Sequence, residues 1–187
     1  MGFHTSRLVA ISRCTPYAHN MTSKAKLKGN SFEREVASML NTLLDTQEFC
    51  RAPTSGAFFG KSNAFKKAGA SEHAKLTLAG DLTTPANFRY TIECKNYAST
   101  GGPNPYAVME GRSDSTLDKW LAQVSDDGRF KNKTPCLFFK LTPKKGTYFC
   151  IPFDSVAANT LNAYSKYQAA DGNQWLVLGV SLLHLLK

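Results

Sequence analysis

Acidic residues are scarce in this chain: 14 Asp and Glu stand against 23 Lys and Arg in 187 residues, giving a formal net charge of +9 and a pI near 9.4. The scarcity is uneven. No acid precedes Glu33, although Arg7, Arg13, Lys24, Lys26 and Lys28 do. A second acid-free stretch carries Arg129, Lys131, Lys133, Lys140, Lys144 and Lys145, and Lys61, Lys66, Lys67 and Lys75 form a third basic segment. Such clusters suit a surface that neutralises several phosphates, so a polyanionic partner is the first expectation.

Cysteine is sparse too. Cys14, Cys50, Cys94, Cys136 and Cys150 are widely spaced, with no CxxC and no zinc-type pairing to His4, His19, His73 or His184. A structural zinc is therefore not expected, and buried, reduced thiols are. Long apolar runs are missing as well, so no membrane partner is expected and the chain reads as cytoplasmic, in a host cytoplasm if viral. Internal repeats and low-complexity tracts are absent. The acid-free first twenty residues superficially suit a transit peptide. Met21, however, opens Met-Thr-Ser-Lys-Ala-Lys, an alternative start, and residues 1–23 are expected to be poorly ordered or a mis-assigned start.

What is present organises as one domain with a substantial core. Phe32, Val36, Met39, Leu40, Leu43 and Leu44 fall on one arc at the helical period and predict a helix over 31–44, with Asn30 as N-cap. A short strand is expected over 48–52, followed by a Thr54-Ser55-Gly56 turn and a basic insertion at about 57–78. Strands follow over 77–83 and 88–95, then a helix over 115–126 with Leu117, Trp120, Leu121 and Val124 on one face. A hairpin of strands over 135–141 and 147–151 turns at Pro143-Lys144-Lys145-Gly146. From about 153 the chain extends through a helix capped by Asp154-Ser155 and running to about Tyr167. A final apolar run, 175–186, closes it as a strand broken near Gly179. The order predicts an α/β domain over 24–187 with a mixed central sheet flanked by helices.

Chemistry concentrates at Gly80-Asp81 and Glu93-Cys94-Lys95. On a strand, residues two apart share a face, so Glu93 and Lys95 point together while Ile92 and Cys94 point into a core. A turn at Thr84-Pro85-Ala86-Asn87 can fold Asp81 back opposite Glu93. Paired carboxylates suit Mg²⁺ or Mn²⁺, which take oxygen ligands and keep several waters. A neighbouring lysine can orient an attacking water or offset charge on a phosphate. The same three charges could also be an ordinary exposed strand edge.

Glu33 bears on that choice. Counted at about 100° per residue from Phe32, it falls at about 100°, inside the arc from Met39 (about −20°) to Leu44 (about 120°). A carboxylate on the buried side needs a partner. Two are open: the backbone N–H of Asn30 in a capping box, or the metal site as a third acid, directly or through water. Acids packed together repel and raise one another's pKa unless a cation is present. The cluster should therefore weaken the metal-free protein slightly and hold its metal exchangeably.

Taken together these residues resemble the PD-(D/E)xK nuclease superfamily, and most closely its archaeal-type Holliday junction resolvases. Lys28-Gly29-Asn30-Ser31-Phe32-Glu33-Arg34-Glu35 is similar to the family's opening helix, and Arg51-Ala52-Pro53-Thr54-Ser55-Gly56 to its Arg-x-x-x-Ser-Gly segment. Asp81, Glu93 and Lys95 supply the core motif. The Trp120–Gln123 helix and Pro135-Cys136-Leu137-Phe138-Phe139 resemble the second helix and following strand. The likeness covers about 24–152. Two departures are the long 57–78 connection and the region after 153, which has no counterpart.

The resemblance implies a restriction-endonuclease-like core (αβββαβ) and a metal-dependent endodeoxyribonuclease, most like a four-way junction resolvase acting as a homodimer. It implies Glu33, Asp81, Glu93 and Lys95 as catalytic residues. Mg²⁺, with Mn²⁺ substituting, would be bound by Asp81, Glu93, the Cys94 backbone carbonyl and Glu33. Lys28, Arg34, Arg51, Ser55, Lys61, Lys66, Lys67, Lys131, Lys133, Lys144 and Lys145 would contact DNA. The alternatives are a restriction- or repair-type endonuclease on duplex or flapped DNA, and a non-catalytic DNA-binding module. A compact nuclease of this kind suits a phage.

Overall fold

The computed structural model describes residues 24–53, 69, 71, 80–97, 102–141, 146–156 and 164–187. Residues 1–23 and nearly all of the 57–78 segment lie outside that set. Helix α1 (Lys24–Leu44) buries Phe32, Val36 and Leu40, spaced by four, on one face. It ends at Asp45, whose φ of 48° is left-handed. Asn41 then brackets Phe49, accepting from its N–H at 3.0 Å and donating to its carbonyl at 2.9 Å. That bracket fixes strand β1 (Cys50–Arg51) beside α1. Strand β2 (Leu82–Thr83) pairs with β1 antiparallel.

The main sheet holds β3 (Tyr90–Lys95), β4 (Thr134–Leu141), β5 (Gly146–Pro152), β6 (Ser165–Gln168) and β7 (Gln174–Gly179). Their order is β3-β4-β5-β7-β6. The first pair is parallel and the other three antiparallel. A parallel pair needs a long crossover, and helices α2 (Pro105–Met109) and α3 (Ser115–Lys131) supply it. Asp114 caps α3 by accepting from Thr116 and Leu117 N–H at 2.9 and 3.0 Å.

The helices cover opposite faces. Phe32, Val36 and Leu40 of α1 pack on Ile92, Cys136, Phe138, Phe149, Leu176 and Leu178. Leu117, Trp120, Leu121 and Val124 of α3 pack on Leu137, Phe139, Cys150, Trp175 and Val177. β4 is therefore apolar toward both layers, as a strand covered on both sides must be. Each such fully buried side chain contributes about 1.5–3 kcal/mol relative to exposure. The result is the expected α/β domain, a mixed sheet flanked by helices and compatible with a restriction-endonuclease-like core.

Three elements differ from their sequence pattern. α1 begins at Lys24, so Asn30 lies inside the helix and cannot cap it. α3 runs through Gly128 to Lys131 and stops at Asn132 (φ 53°). Gly128 is no breaker: a Cβ there would meet Lys133 O at 2.8 Å, so glycine lets β4 fold back tightly. Finally, 154–167 is not one helix. A 3₁₀ turn spans Phe153–Ser155, and Ser165–Gln168 is strand β6. Tyr167 is buried there, its hydroxyl accepting from Asp114 N–H and donating to Asp118 Oδ1, both at 2.8 Å. β7 does end near the expected break, and Val180–Leu186 continues as a 3₁₀ helix. Cys94, Cys136 and Cys150 are buried and unpaired as expected, whereas free Cys50 is exposed. No helix among the described residues is long and apolar enough to cross a membrane.

Candidate active site

β3 sets the geometry. Its register with β4 aligns Glu93 with Leu137 and Lys95 with Phe139, on the α3 side, while Ile92 and Cys94 join the α1 core. Gly80 and Asp81 run along the free edge of β3. Asp81 N–H donates to Ile92 O at 3.0 Å, and its carboxylate Oδ2 accepts from Cys94 N–H at 2.8 Å. The N–H and C=O of one strand residue point to the same edge, so the Cys94 carbonyl also faces Asp81. Gly80 makes this approach possible. Its φ is +73°, and a Cβ would lie 2.9 Å from Ile92 O. Asp81 thus comes back beside Ile92–Cys94, close to the position that the hairpin pattern anticipates.

Asp81 and Glu93 are 5% and 3% exposed. Burial, then the charge of Glu93, pushes the Asp81 pKa well above the carboxylate range, against the bond from Cys94 N–H. Burial likewise raises Glu93, partly offset by Lys95. Burial works against the charge of Lys95, but the charge and hydrogen bond of Glu93 outweigh it and raise its pKa. Lys95 Nζ donates to Glu93 Oε1 at 2.6 Å and to Gln123 Oε1 at 3.0 Å, and Gln123 Nε2 donates to Glu93 Oε1 at 2.6 Å. These contacts close a triangle that holds the ammonium in one place. No hydrogen bond among the described residues engages Asp81 Oδ1 or Glu93 Oε2.

Glu33 is buried, 8% exposed, and close enough for its charge to raise Asp81 and Glu93. Its carboxylate accepts from Arg51 Nε at 2.6 Å. With Asn30 inside the helix, this ion pair takes the place of the capping box. Among the described residues no three His, Cys, Asp or Glu side chains gather tightly enough to cage an ion. Two carboxylates and one carbonyl are nonetheless a set that fits Mg²⁺, which is held through few protein oxygens and keeps its waters.

The expected DNA contacts divide. Lys28 and Arg34 are exposed on α1, and Arg51 is tied to Glu33. Lys133 is half-buried, donating to Thr84 Oγ1 at 3.0 Å and Pro85 O at 3.2 Å. Lys131 is buried, 7% exposed, so it does not offer an open phosphate contact. Ser55, Lys61, Lys66, Lys67, Lys144 and Lys145 lie outside the described residues.

Sequence reasoning missed the role of α3. Gln123, Asp127 and Lys131 are spaced by four and so share a side of the helix, drifting about 40° per step. Thr91, Glu93 and Lys95 are spaced by two on β3. The two spacings match at about 6 Å, which lets one polar row lie along the other. Asp127 is buried and its charge reaches Glu93. Lys131 Nζ is buried without a hydrogen-bond partner among the described residues, and burial with the nearby Lys133 charge lowers its pKa to about 8.

Lys131 is a base whose folded pKa lies below its unfolded one, so the unfolded chain binds more protons between about pH 8 and 10.5. Its charge therefore costs stability below that window, and the cost disappears as pH rises through it. Lys131→Met is expected to stabilise the protein at pH 7 by on the order of 2 kcal/mol and to flatten the rise in stability toward pH 10. Denaturant titrations across that range check this; parallel curves for the two proteins would refute it.

With this geometry in place, comparison with known proteins adds one finding. Residues 24–174 match the family described as phage putative PDDEXK endonuclease. Neither the curated proteins nor the solved structures gave a match. The match spans the helix carrying Glu33, the Asp81–Glu93–Lys95 edge, α3, and strands β4 to β6. The chain belongs to the phage putative PDDEXK endonuclease family.

Proposed function

We propose that this chain is a metal-dependent endodeoxyribonuclease that uses Mg²⁺, with Mn²⁺ substituting, and that prefers four-way DNA junctions. The observation that carries the hydrolytic part is the free edge of β3, where two buried carboxylates flank a backbone carbonyl beside a lysine locked by Glu93 and Gln123. Asp81, Glu93 and the Cys94 carbonyl would hold the ion. Once bound, it supplies a Lewis acid that acidifies a coordinated water and offsets charge on the phosphate. Lys95 holds the attacking water and adds positive charge beside the scissile group. Glu33 contributes through water or a second ion, its orientation set by Arg51. Lys28, Arg34 and Lys133 hold backbone phosphates, a contact that positions DNA without reading its sequence.

Junction preference and a homodimer go together, because paired symmetric nicks need two sites about a two-fold axis. Action on DNA places the protein in the host cytoplasm. A synthetic four-way junction and a linear duplex of the same sequence, each incubated with Mg²⁺ and with EDTA, test both levels. Mg²⁺-dependent cutting of the junction at least tenfold faster is expected. Equal cutting of both refutes the junction preference alone, and no metal-dependent cutting of any DNA refutes the nuclease reading.

A further inference from the structure

A cavity of about 830 Å³ opens at the other end of the β3–β4 pair from the carboxylates. Arg89, Arg129 and Lys133 line it, from the residue before β3, the last turn of α3 and the α3–β4 turn, against one carboxylate, Asp154. The surroundings of Arg89 and Lys133 differ from those of the ion-paired cations. Lys95, Arg51 and Lys140 are each neutralised by a carboxylate. Arg89 instead donates to Ser155 O at 2.7 Å, and Lys133 to Thr84 Oγ1 and Pro85 O. Uncharged oxygens fix both heads and leave their charge uncancelled. Arg129 pairs with Asp126, but that pair is largely in solvent and is worth little.

Trp175 also lines the cavity, is 2% exposed, and its indole N–H is buried with no hydrogen-bond partner among the described residues. A buried donor without an acceptor is costly. This one is closed off from solvent, so it can sense binding in the cavity only through the packing around it. Excess positive charge and pre-positioned cationic heads describe a receptor for an oxyanion with several acceptor oxygens. In a protein that hydrolyses phosphodiesters, the available oxyanion is the backbone of the substrate itself.

We infer that this cavity is a second phosphate site that grips the DNA backbone away from the cut, and it rests on the DNA-hydrolysing function proposed above. Arg89 and Lys95 are six residues apart on an extended strand, so the two sites are separated by about 20 Å. That separation corresponds to about six nucleotides along one strand. Short DNA covering only the catalytic edge should bind more weakly than DNA long enough to reach both sites.

The test uses the full chain in EDTA with a labelled duplex of about 30 base pairs, with affinity followed by anisotropy at several salt concentrations. Each phosphate contact contributes about 0.9 to the slope of log affinity against log salt. Arg89→Gln, Lys133→Gln and the surface variant Arg129→Gln should each lower that slope by about one and weaken binding severalfold. The first two keep a donor for the anchoring oxygens, and Arg129→Gln supplies an answer should either misfold. In parallel, the Trp175 indole N–H resonance, assigned through Trp175→Phe, should move on adding DNA. Binding by the parent chain with slopes unchanged in all folded variants overturns the second site and leaves the nuclease reading intact. A resonance that moves with inorganic phosphate and not with DNA overturns it as well. Absence of any DNA binding by the parent chain overturns both.

Discussion

Lys95→Ala is expected to slow metal-dependent DNA cleavage by about 10³-fold, with DNA affinity changed only a few-fold. The ammonium is the only cation bonded to Glu93, at 2.6 Å among the described residues, and Gln123 pins it from α3 at 3.0 Å. A group so held needs no reorganisation when charge develops nearby, which is why its loss should fall on the rate and not on binding. Lys95→Arg should rescue little, because a planar fork cannot occupy a slot shaped for a point donor. Asp81→Asn should lose at least as much by removing a metal carboxylate. Single-turnover rates beside anisotropy measurements check both. Retention of a tenth or more of the parent rate by Lys95→Ala would show that the lysine serves the fold alone.

The second large effect is on stability, and its sign follows from the carboxylates. Asp81 and Glu93 have folded pKa values raised by burial above those of the unfolded chain. Between the unfolded value, about 4, and the raised folded values, the folded state binds more protons. The pair's contribution is therefore greatest below about pH 4 and declines as pH rises through the folded values. At pH 8 the metal-free protein carries more of this penalty than at pH 5, and Mg²⁺ should relieve it. At ten times the dissociation constant the gain is about 1.4 kcal/mol, or about 3–6 °C in melting temperature for a chain of this length. At pH 5 protons compete for the same oxygens and the gain should shrink. Asp81→Asn should raise the metal-free melting temperature at pH 8 and abolish the Mg²⁺ response. Thermal melts at both pH values decide the matter; an equal Mg²⁺ shift at pH 5 and pH 8, or one that survives Asp81→Asn, would contradict it.

Much of this was legible in the residues because local rules and tertiary packing agree there. The shared face of Glu93 and Lys95, opposite Ile92 and Cys94, follows from the period of an extended strand, whereas the burial of Glu93 comes from the packing of α3 on that face. The four-spaced apolar residues of α1 likewise place Glu33 inward. The partner of Glu33 was not legible, since Arg51 reaches it only because Asn41 brackets Phe49 and so orients β1. Gln123 was visible as part of a helix, but its polarity gave no reason to turn it inward. The reason lies in the opposing row on β3, 30 residues away in sequence. Lys131 misled for the converse reason: a lysine in a basic stretch reads as solvated, and only the packing of α3 on β3 buries it. The 154–167 segment failed because its helical start is overridden by β7, which offers Ser165–Gln168 a pairing edge.

The edge that carries Asp81 also protects the sheet from itself. β3 ends the five-stranded order, so its outer N–H and C=O groups would otherwise be a template for adding a foreign strand. Asp81 occupies that template twice, with its backbone on Ile92 and its carboxylate on Cys94. The acid proposed to hold the metal is thus also a guard against edge-to-edge strand pairing. Removing the side chain at Asp81 would take away the carboxylate and uncover the Cys94 N–H, leaving only the backbone bond to Ile92, whereas asparagine keeps an oxygen for the Cys94 N–H and takes away only the charge. Asn, and not Ala, is therefore the replacement whose effect can be read as chemistry.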